Sequence, residues 1–442
     1  MNKSILSILF ILIILTSMIH AMSLNEAKEL VIKNNSEMKT EEQNLKMAQW
    51  DLKNARFDML PTAKLQGNYN LYQPEINMGA PNSQAKNLQS FGLAVNFPLF
   101  VGGKLYLGQK MKSDALKMSE ISFKTKKLEI LSTLENKFFK VLETKELMSI
   151  AEMDYQSSQA NEEIAKIRYE NGSLSSADYL NFRTASANKK LRLLQSQNAY
   201  LLSKNDLTNY LSIPSDTDFE AITEDMYMEW ISTLQNTDLN HLDKITQQIS
   251  EYTSEHNTAI QISKLSVKTA ENAHLMNLGN FLPTVNLSYT QGWQKYDFQD
   301  KFGDQGTLVL SASIPIFPVI DDYSATEKSR SAVRKATYQM DTTEKSIRLA
   351  VQSSLLSLIT SIQSYESAKL SLEYAEEFWQ QKNVRFKNNL LSANEMLDAD
   401  VIVNNARTQH ISSIYNILRA KSALMQVINS DSDETLKTLL KN

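Results

Sequence analysis

Four short stretches of the chain alternate apolar and polar side chains with a period of two, the pattern of a strand whose two faces meet different surroundings. Ala63, Leu65, Gly67, Tyr69 and Leu71 alternate with Thr62, Lys64, Gln66, Asn68 and Asn70, and Phe91, Leu93, Val95 and Phe97 with Ser90, Gly92, Ala94 and Asn96. Val285, Leu287 and Tyr289 stand against Asn286, Ser288 and Thr290, and Leu308, Leu310, Ala312 and Ile314 against Thr307, Val309, Ser311 and Ser313. Each stretch predicts a strand of about 8 to 10 residues, close to what a tilted strand needs to cross a bilayer. An open sheet edge in hydrocarbon leaves backbone groups unpaired at several kcal/mol each. Membrane barrels start at about eight strands, so four cannot close alone. Two copies of the chain would supply eight strands and three would supply twelve.

Between the strand pairs the period changes. From Gly103 to Arg168 there is no proline and no glycine after Gly108, and from Asp321 to Phe386 there is neither. At 1.5 Å per residue each stretch predicts a helix of roughly 100 Å. Val351, Leu355, Leu358, Ile362 and Tyr365, continuing to Leu372 and Trp379, fall at heptad spacing. Leu134, Phe138, Val141, Met148 and Tyr155 echo it, with Lys145 as an exception. Asn171-Gly172-Ser173 and Lys387-Asn388-Asn389 break these helices, and return helices follow as antiparallel neighbours. Their stripes are Leu180, Ala187, Leu191, Leu194 and Leu201 in one half and Leu397, Val401, Ile411, Tyr415, Leu418 and Met425 in the other. Thr184, Asn198, Asn205 and Thr208 interrupt the first, which suits a helical wall with water on one side. Shorter helices are predicted over Ser23–Met59 and Leu242–Asn280. The acidic segment 213–240 reads as a surface linker with one short helix around Tyr227 to Leu234, and 429–442 as a C-terminal tail.

The chain also says the same thing twice. Leu60-Pro61-Thr62 returns as Leu282-Pro283-Thr284, an offset of 222, and Asn96-Phe97-Pro98-Leu99-Phe100 returns as Ser313-Ile314-Pro315-Ile316-Phe317, an offset of 217. Ile167-Arg168-Tyr169-Glu170-Asn171-Gly172 returns at the latter offset as Val384-Arg385-Phe386-Lys387-Asn388-Asn389. A period this long marks a duplicated domain-sized unit rather than a solenoid. The repeats are expected at 22–212 and 241–428.

Composition narrows the function classes. Only 11 Gly and 8 Pro in 442 residues fit a mainly helical chain, and a net charge of −4 offers no basic field for nucleic acid. Residues 1–21 read as a cleaved secretory signal, with Lys3 ahead of the apolar run Ile5 to Leu15 and Ala21 at its end. The run is too short for a comfortable membrane span of about 20 residues. With no cysteine there is no disulfide framework, thiolate site or lipid-attachment residue. His241, His256, His274 and His410 lack the spacing of a helical metal site, and Gly102-Gly103 with Gly108 is no phosphate loop. No catalytic constellation, metal or cofactor is expected.

In order, each half is helix, strand, loop, strand, very long helix, turn, helix, and this resembles the TolC-like outer-membrane efflux family across essentially the whole mature chain. The motifs that carry the resemblance are Leu24-Asn25-Glu26-Ala27 with Asn34-Asn35, Leu60-Pro61, Phe97-Pro98-Leu99-Phe100-Val101-Gly102-Gly103, and Arg168-Tyr169-Glu170-Asn171-Gly172 with Asp178. The second half departs from it: its junction reads Pro315-Ile316-Phe317-Pro318-Val319-Ile320-Asp321 without the double glycine, and it has Asn389 where glycine is usual. The resemblance implies a mainly α fold with a transmembrane β-barrel portion, assembled as a homotrimer with a twelve-stranded barrel in outer-membrane lipid and a twelve-helix periplasmic tunnel. It implies a passive exit duct of a tripartite efflux pump or type I secretion system, gated at its periplasmic helical end. The partners it implies are a periplasmic adaptor and, through that, an inner-membrane transporter.

The resemblance further places Arg168, Tyr169, Gly172, Ser175, Arg385, Phe386 and Asn389 at adaptor-contacting turns, and Asp178, Glu395 and Asp398 in an acidic entrance ring. Plainer roles stand beside these: Arg168 and Arg385 suit any helix C-terminus, glycine any C-cap, and Asp178 any first helical turn. Two other functions are the alternatives to this one. An adaptor would embed one hairpin in Gly-rich β domains, and a structural coiled-coil protein of the envelope would lack the duplicated strand pairs.

Overall fold

The structure, a computed structural model, describes residues 21–77, 79, 84–234, 239–317, 320–388 and 390–441. The signal expected at 1–21 therefore lies, except for Ala21, outside the described residues, as does Asn389. The elements in order are α1 (Leu24–Asn34), α2 (Ser36–Phe57), β1 (Thr62–Asn77), β2 (Gln84–Val101), α3 (Lys104–Glu170), α4 (Ser176–Leu211), α5 (Asp225–Leu234), α6 (Leu239–His256), α7 (Thr258–Leu278), β3 (Thr284–Tyr296), β4 (Gly303–Ser313), α8 (Ile320–Lys387), α9 (Ala393–Ile428) and α10 (Asp433–Lys441). No described helix is long and apolar enough to cross a membrane.

The chain divides into two compact units that cut across its two repeats. One comprises residues 42–122 and 259–343, and the other 1–41, 123–258 and 344–442. Each repeat contributes to both units, because its strand pair and its helical hairpin are joined through one long helix.

In the first unit, β1 to β4 form one antiparallel sheet in sequence order. The strands run 16, 18, 13 and 11 residues, longer than expected. Pairing continues past the apolar band, as Leu71 opposite Asn87 and, after a register shift, Ile76 opposite Ala85 illustrate. Directly opposed residues share a face, and the four alternating patterns fall into step. Ala63, Val95, Tyr289 and Leu308 lie in one row across the sheet, and Leu287 opposes both Phe97 and Leu310 in another. That apolar face stands in the open, with Leu65 78% and Leu308 68% exposed.

Where β2 meets α3, Gly102 adopts φ +57° and a Cβ on it would lie 2.1 Å from the Gly279 carbonyl oxygen. A Cβ on Gly279 would lie 2.3 Å from the Gly102 oxygen, so the two backbones touch and neither residue can carry a side chain.

The second unit holds the main core. Leu134, Phe138 and Val141 of α3, Val351, Leu355, Leu358, Ile362 and Tyr365 of α8, and Tyr415, Leu418 and Met425 of α9 are buried there, as their spacing predicts. The stripe predicted for α4 is not. Leu180, Leu191, Leu194 and Leu201 are about half-exposed, while α4 buries Phe182, Lys189, Leu207 and Leu211 instead. The sequence pattern marks where α4 is apolar, and within a single chain that face has no partner.

Two further expectations change. Segment 213–240 is more than a surface linker: its short helix forms as expected, as α5, but Phe219, Tyr227, Trp230, Ile231 and Leu234 enter the core. The 429–442 tail contains α10, which buries Leu436 and Leu440. The helices predicted over Ser23–Met59 and Leu242–Asn280 are each interrupted once, at Asn35 and Asn257, which are equivalent under the 222-residue offset. Asn35 leaves the helix at ψ 129°, and its Oδ1 accepts from the Glu37 and Met38 amides at 2.8 and 3.2 Å. Asparagine competes with the helical ladder in this way and restarts it as an N-cap. Asn257 donates to the Val427 carbonyl at 2.8 Å.

The glycine contact yields a paired prediction. Gly103 also has positive φ, +75°, but nothing lies within 4 Å of its would-be Cβ. Gly103→Ala should cost only the left-handed strain of roughly 1–2 kcal/mol, whereas Gly102→Ala must also move the Gly279 backbone. The unfolding midpoint and the yield of folded protein should drop clearly further for Gly102→Ala.

Candidate functional site at the helical turns

The two helical hairpins share one turn-closing bond. At the end of α3, Gly172 takes φ +70°, its amide donates to the Tyr169 carbonyl at 3.0 Å, and the Ser173 amide donates to the Arg168 carbonyl at 2.9 Å. This bond pair is a Schellman close, which asks for a left-handed residue at that point. At the end of α8 the Leu390 amide donates to the Arg385 carbonyl at 2.9 Å, the equivalent bond. The return helices then start on serine caps. Ser175 Oγ accepts from the Asp178 amide at 3.1 Å and donates to the Asp178 carboxylate at 2.7 Å. Ser392 and Glu395 form a complete capping box, and Lys382 Nζ reaches Glu395 at 3.3 Å. The Ser392 hydroxyl, then its amide and Lys382, hold the Glu395 carboxyl below its ordinary pKa.

Of the three carboxylates expected to line an entrance, that of Glu395 therefore completes a helix cap and that of Asp178 accepts from the cap hydroxyl of Ser175, while Asp398 is exposed one turn on. The seven turn residues also separate. Tyr169, Gly172, Ser175 and Arg385 are exposed. Phe386 is fully buried, at 0% exposure, in a cluster with Ala165, Phe182, Ala393 and Met396. Arg168 bridges the hairpins: its guanidinium donates to the Phe386 and Lys387 carbonyls at the C-terminus of α8 and lies 4.4 Å from the Phe386 ring centre. Partial burial lowers its pKa from the ordinary guanidinium range. In this conformation Arg168 and Phe386 join the two hairpins and present little to an outside partner.

A second junction between the hairpins escaped the sequence reading. Lys189 of α4 forms an ion pair with Asp154 of α3 and lies 3.8 Å from Asp400 of α9. Trp379 Nε1 of α8 donates to Asp400 at 2.6 Å. Asn161 Nδ2 lies 3.5 Å from the other Asp400 oxygen, and Asn404 donates to Asp154. All four long helices of the unit thus meet at one buried node of two carboxylates and one ammonium. Desolvation raises the Asp400 pKa, against the pull of Lys189 and the Trp379 hydrogen bond. The available signal was a charge inside an apolar stripe: Asp400 sits between Met396 and Val403 at core spacing, and Lys189 lies seven residues after Phe182. Among the described residues no three or more His, Asp or Glu side chains converge as a metal site.

The node's two sides should respond differently. Lys189→Met strands two buried carboxylates and should destabilise the helical unit by about 3–5 kcal/mol, read as a lower thermal midpoint by circular dichroism. A carboxyl whose folded pKa is raised weakens the fold once ionised, so that cost is present at neutral pH and disappears as pH falls through the folded pKa. Asp400→Asn should therefore melt above wild type at pH 7, and the gap should close as the pH is lowered towards the ordinary carboxylate range.

Comparison with known proteins places this geometry in a context. A sequence model of the family described as "Outer membrane efflux protein" matches residues 28–212 and 251–430. No curated protein matches by sequence. Among solved structures, the fold is similar to the outer membrane protein VceC of Vibrio cholerae, with TM-score 0.77, 15% identity, and 92% of this chain and 96% of that one covered. It is similar to the CmeC outer membrane channel of Campylobacter jejuni, with TM-score 0.78, 14% identity, and 95% and 89% covered. The open state of the MtrE outer membrane channel of Neisseria gonorrhoeae matches at TM-score 0.73 and 13% identity, with 92% and 89% covered.

Proposed function

The chain belongs to the outer membrane efflux protein family, and from that footing we propose how this particular member works: as a homotrimeric, passive exit duct that opens at its two helical turns. It is an outer-membrane efflux channel of the kind that works with adaptor proteins. The observation that carries the assembly is the open four-stranded sheet, whose apolar face and two free edges call for further copies. Three copies supply the twelve strands of a closed barrel. The unpartnered α4 stripe supports the same reading, since a neighbouring copy would cover Leu191, Leu194 and Leu201.

At the turns, the exposed Tyr169, Gly172, Ser175 and Arg385 form the adaptor-contacting surface in this reading, with Asn389 beside them in sequence. Asp178, Glu395 and Asp398, repeated threefold, make an acidic entrance that favours cations. Arg168 and Phe386 act as the tie that keeps the hairpins together and must loosen for opening. Transport energy comes from the partnered inner-membrane transporter. The alternatives, an adaptor or a structural coiled-coil protein, find no support in the family match.

Two measurements test this. In planar bilayers, Arg168→Ala removes the tie to the α8 carbonyls and should raise single-channel conductance several-fold; unchanged conductance would sink the gating role. Tyr169→Ala with Arg385→Glu should leave the assembly's mass unchanged while abolishing co-purification of the adaptor. Retained co-purification would remove these turns from the contact surface.

A further inference from the structure

The duplication fixes more than the number of strands. Within the chain, hairpin β1–β2 pairs Thr62 with Asn96 and hairpin β3–β4 pairs Thr284 with Ser313. The offsets of 222 and 217 carry the first pair onto the second residue for residue. The two hairpins thus share one register, so the sheet obeys the sequence repeat at the level of single hydrogen-bonded rows. The remaining junction, β2 with β3, pairs Leu93 with Gln291, Phe91 with Trp293 and Asn96 with Ser288. Applying the same offsets carries β2 onto β4 and β3 onto β1, the two strands left with a free edge.

Resting on the trimer reading above, we propose that β4 of one copy pairs antiparallel with β1 of a second copy in the register that places Leu310 opposite Tyr69, Leu308 opposite Leu71 and Ser313 opposite Gln66. An independent check favours this register. A slip of one residue would turn every side chain of a strand to the wrong face, yet the offsets bring Leu308 and Leu310, which belong to the apolar face of β4, opposite Leu71 and Tyr69, which belong to that of β1. The polar rows fall into step as well, with Ser311 opposite Asn68. The four apolar side chains are among the most exposed in the sheet, as positions awaiting a neighbour would be.

The seam differs from the intrachain junction in one respect. The repeat maps Gly102 onto Val319 and Gly279 onto Phe57, so the side-chain-free backbone contact cannot recur between copies. The shared register therefore holds along the strands, and the glycine pair below them has no counterpart at the seam.

The chain has no cysteine, which makes the register directly measurable. Directly opposed strand residues have Cα atoms about 4.5–5.5 Å apart, within disulfide range, whereas diagonal neighbours two residues away lie about 7–8 Å apart, outside it. Tyr69→Cys and Leu71→Cys are combined in turn with Leu308→Cys and Leu310→Cys, giving two matched and two diagonal variants. Asn68→Cys with Ser311→Cys adds a third matched pair that leaves the apolar face untouched. The detergent-corrected mass of each variant is measured before oxidation in membranes. The matched variants should run as covalent dimers and trimers on non-reducing gels, and the diagonal variants should not. Cross-linking confined to a diagonal pair, or to none in an intact trimer, overturns the register and leaves the trimer standing. A monomeric mass in every variant overturns the trimer itself.

Discussion

A backbone N–H or C=O facing hydrocarbon has no water to turn to, and the rest of this structure follows from that constraint. The chain builds only four strands and leaves β1 and β4 without neighbours. Its apolar face is continuous across all four strands, so the sheet can neither stay open in lipid nor fold its face against a core of its own. Assembly is thus written into the fold. The edge that would be an aggregation hazard in a soluble protein becomes the site of closure.

The helical unit repeats the logic in a different form. The long helices α3, α8 and α9 bury apolar stripes against their own chain, yet α4 keeps Leu191, Leu194 and Leu201 outside the intrachain core. Within the chain, the two hairpins are held by polar contacts rather than by more apolar area: Arg168 on the α8 carbonyls, and the buried node of Asp154, Lys189 and Asp400. Polar ties would suit hairpins that separate, as the proposed opening requires. A broad apolar seam resists small movements, because close-packed surfaces deform little, whereas a few directional bonds can be exchanged for water or for a partner's groups.

Much of this was legible in the residues. Period-two alternation gave the strands and their faces, the absence of Gly and Pro gave the long helices, and self-similarity gave the duplication, although the equivalent asparagine breaks at positions 35 and 257 emerged only in the structure. Three features were hidden for identifiable reasons. Strand length was underestimated because polar residues beyond the apolar band pair as readily as apolar ones, as the Ile76–Ala85 pairing shows. Segment 213–240 looked like a linker because its acidic first half masked the core residues Trp230, Ile231 and Leu234. The buried node was hidden because a lysine and an aspartate at core spacing look like surface charges until the chain places them together. Arg168 and Phe386 were legible as turn residues, but their burial against each other depends on a contact between hairpins 218 residues apart.

The mass of the detergent-extracted protein, corrected for bound detergent, tests the central claim most directly. Closure by copies predicts a stable particle of three chains, close to three times 50.2 kDa. A stable, water-soluble particle of one chain would mean that the four strands satisfy their edges and their apolar face in some other way, and would contradict the account.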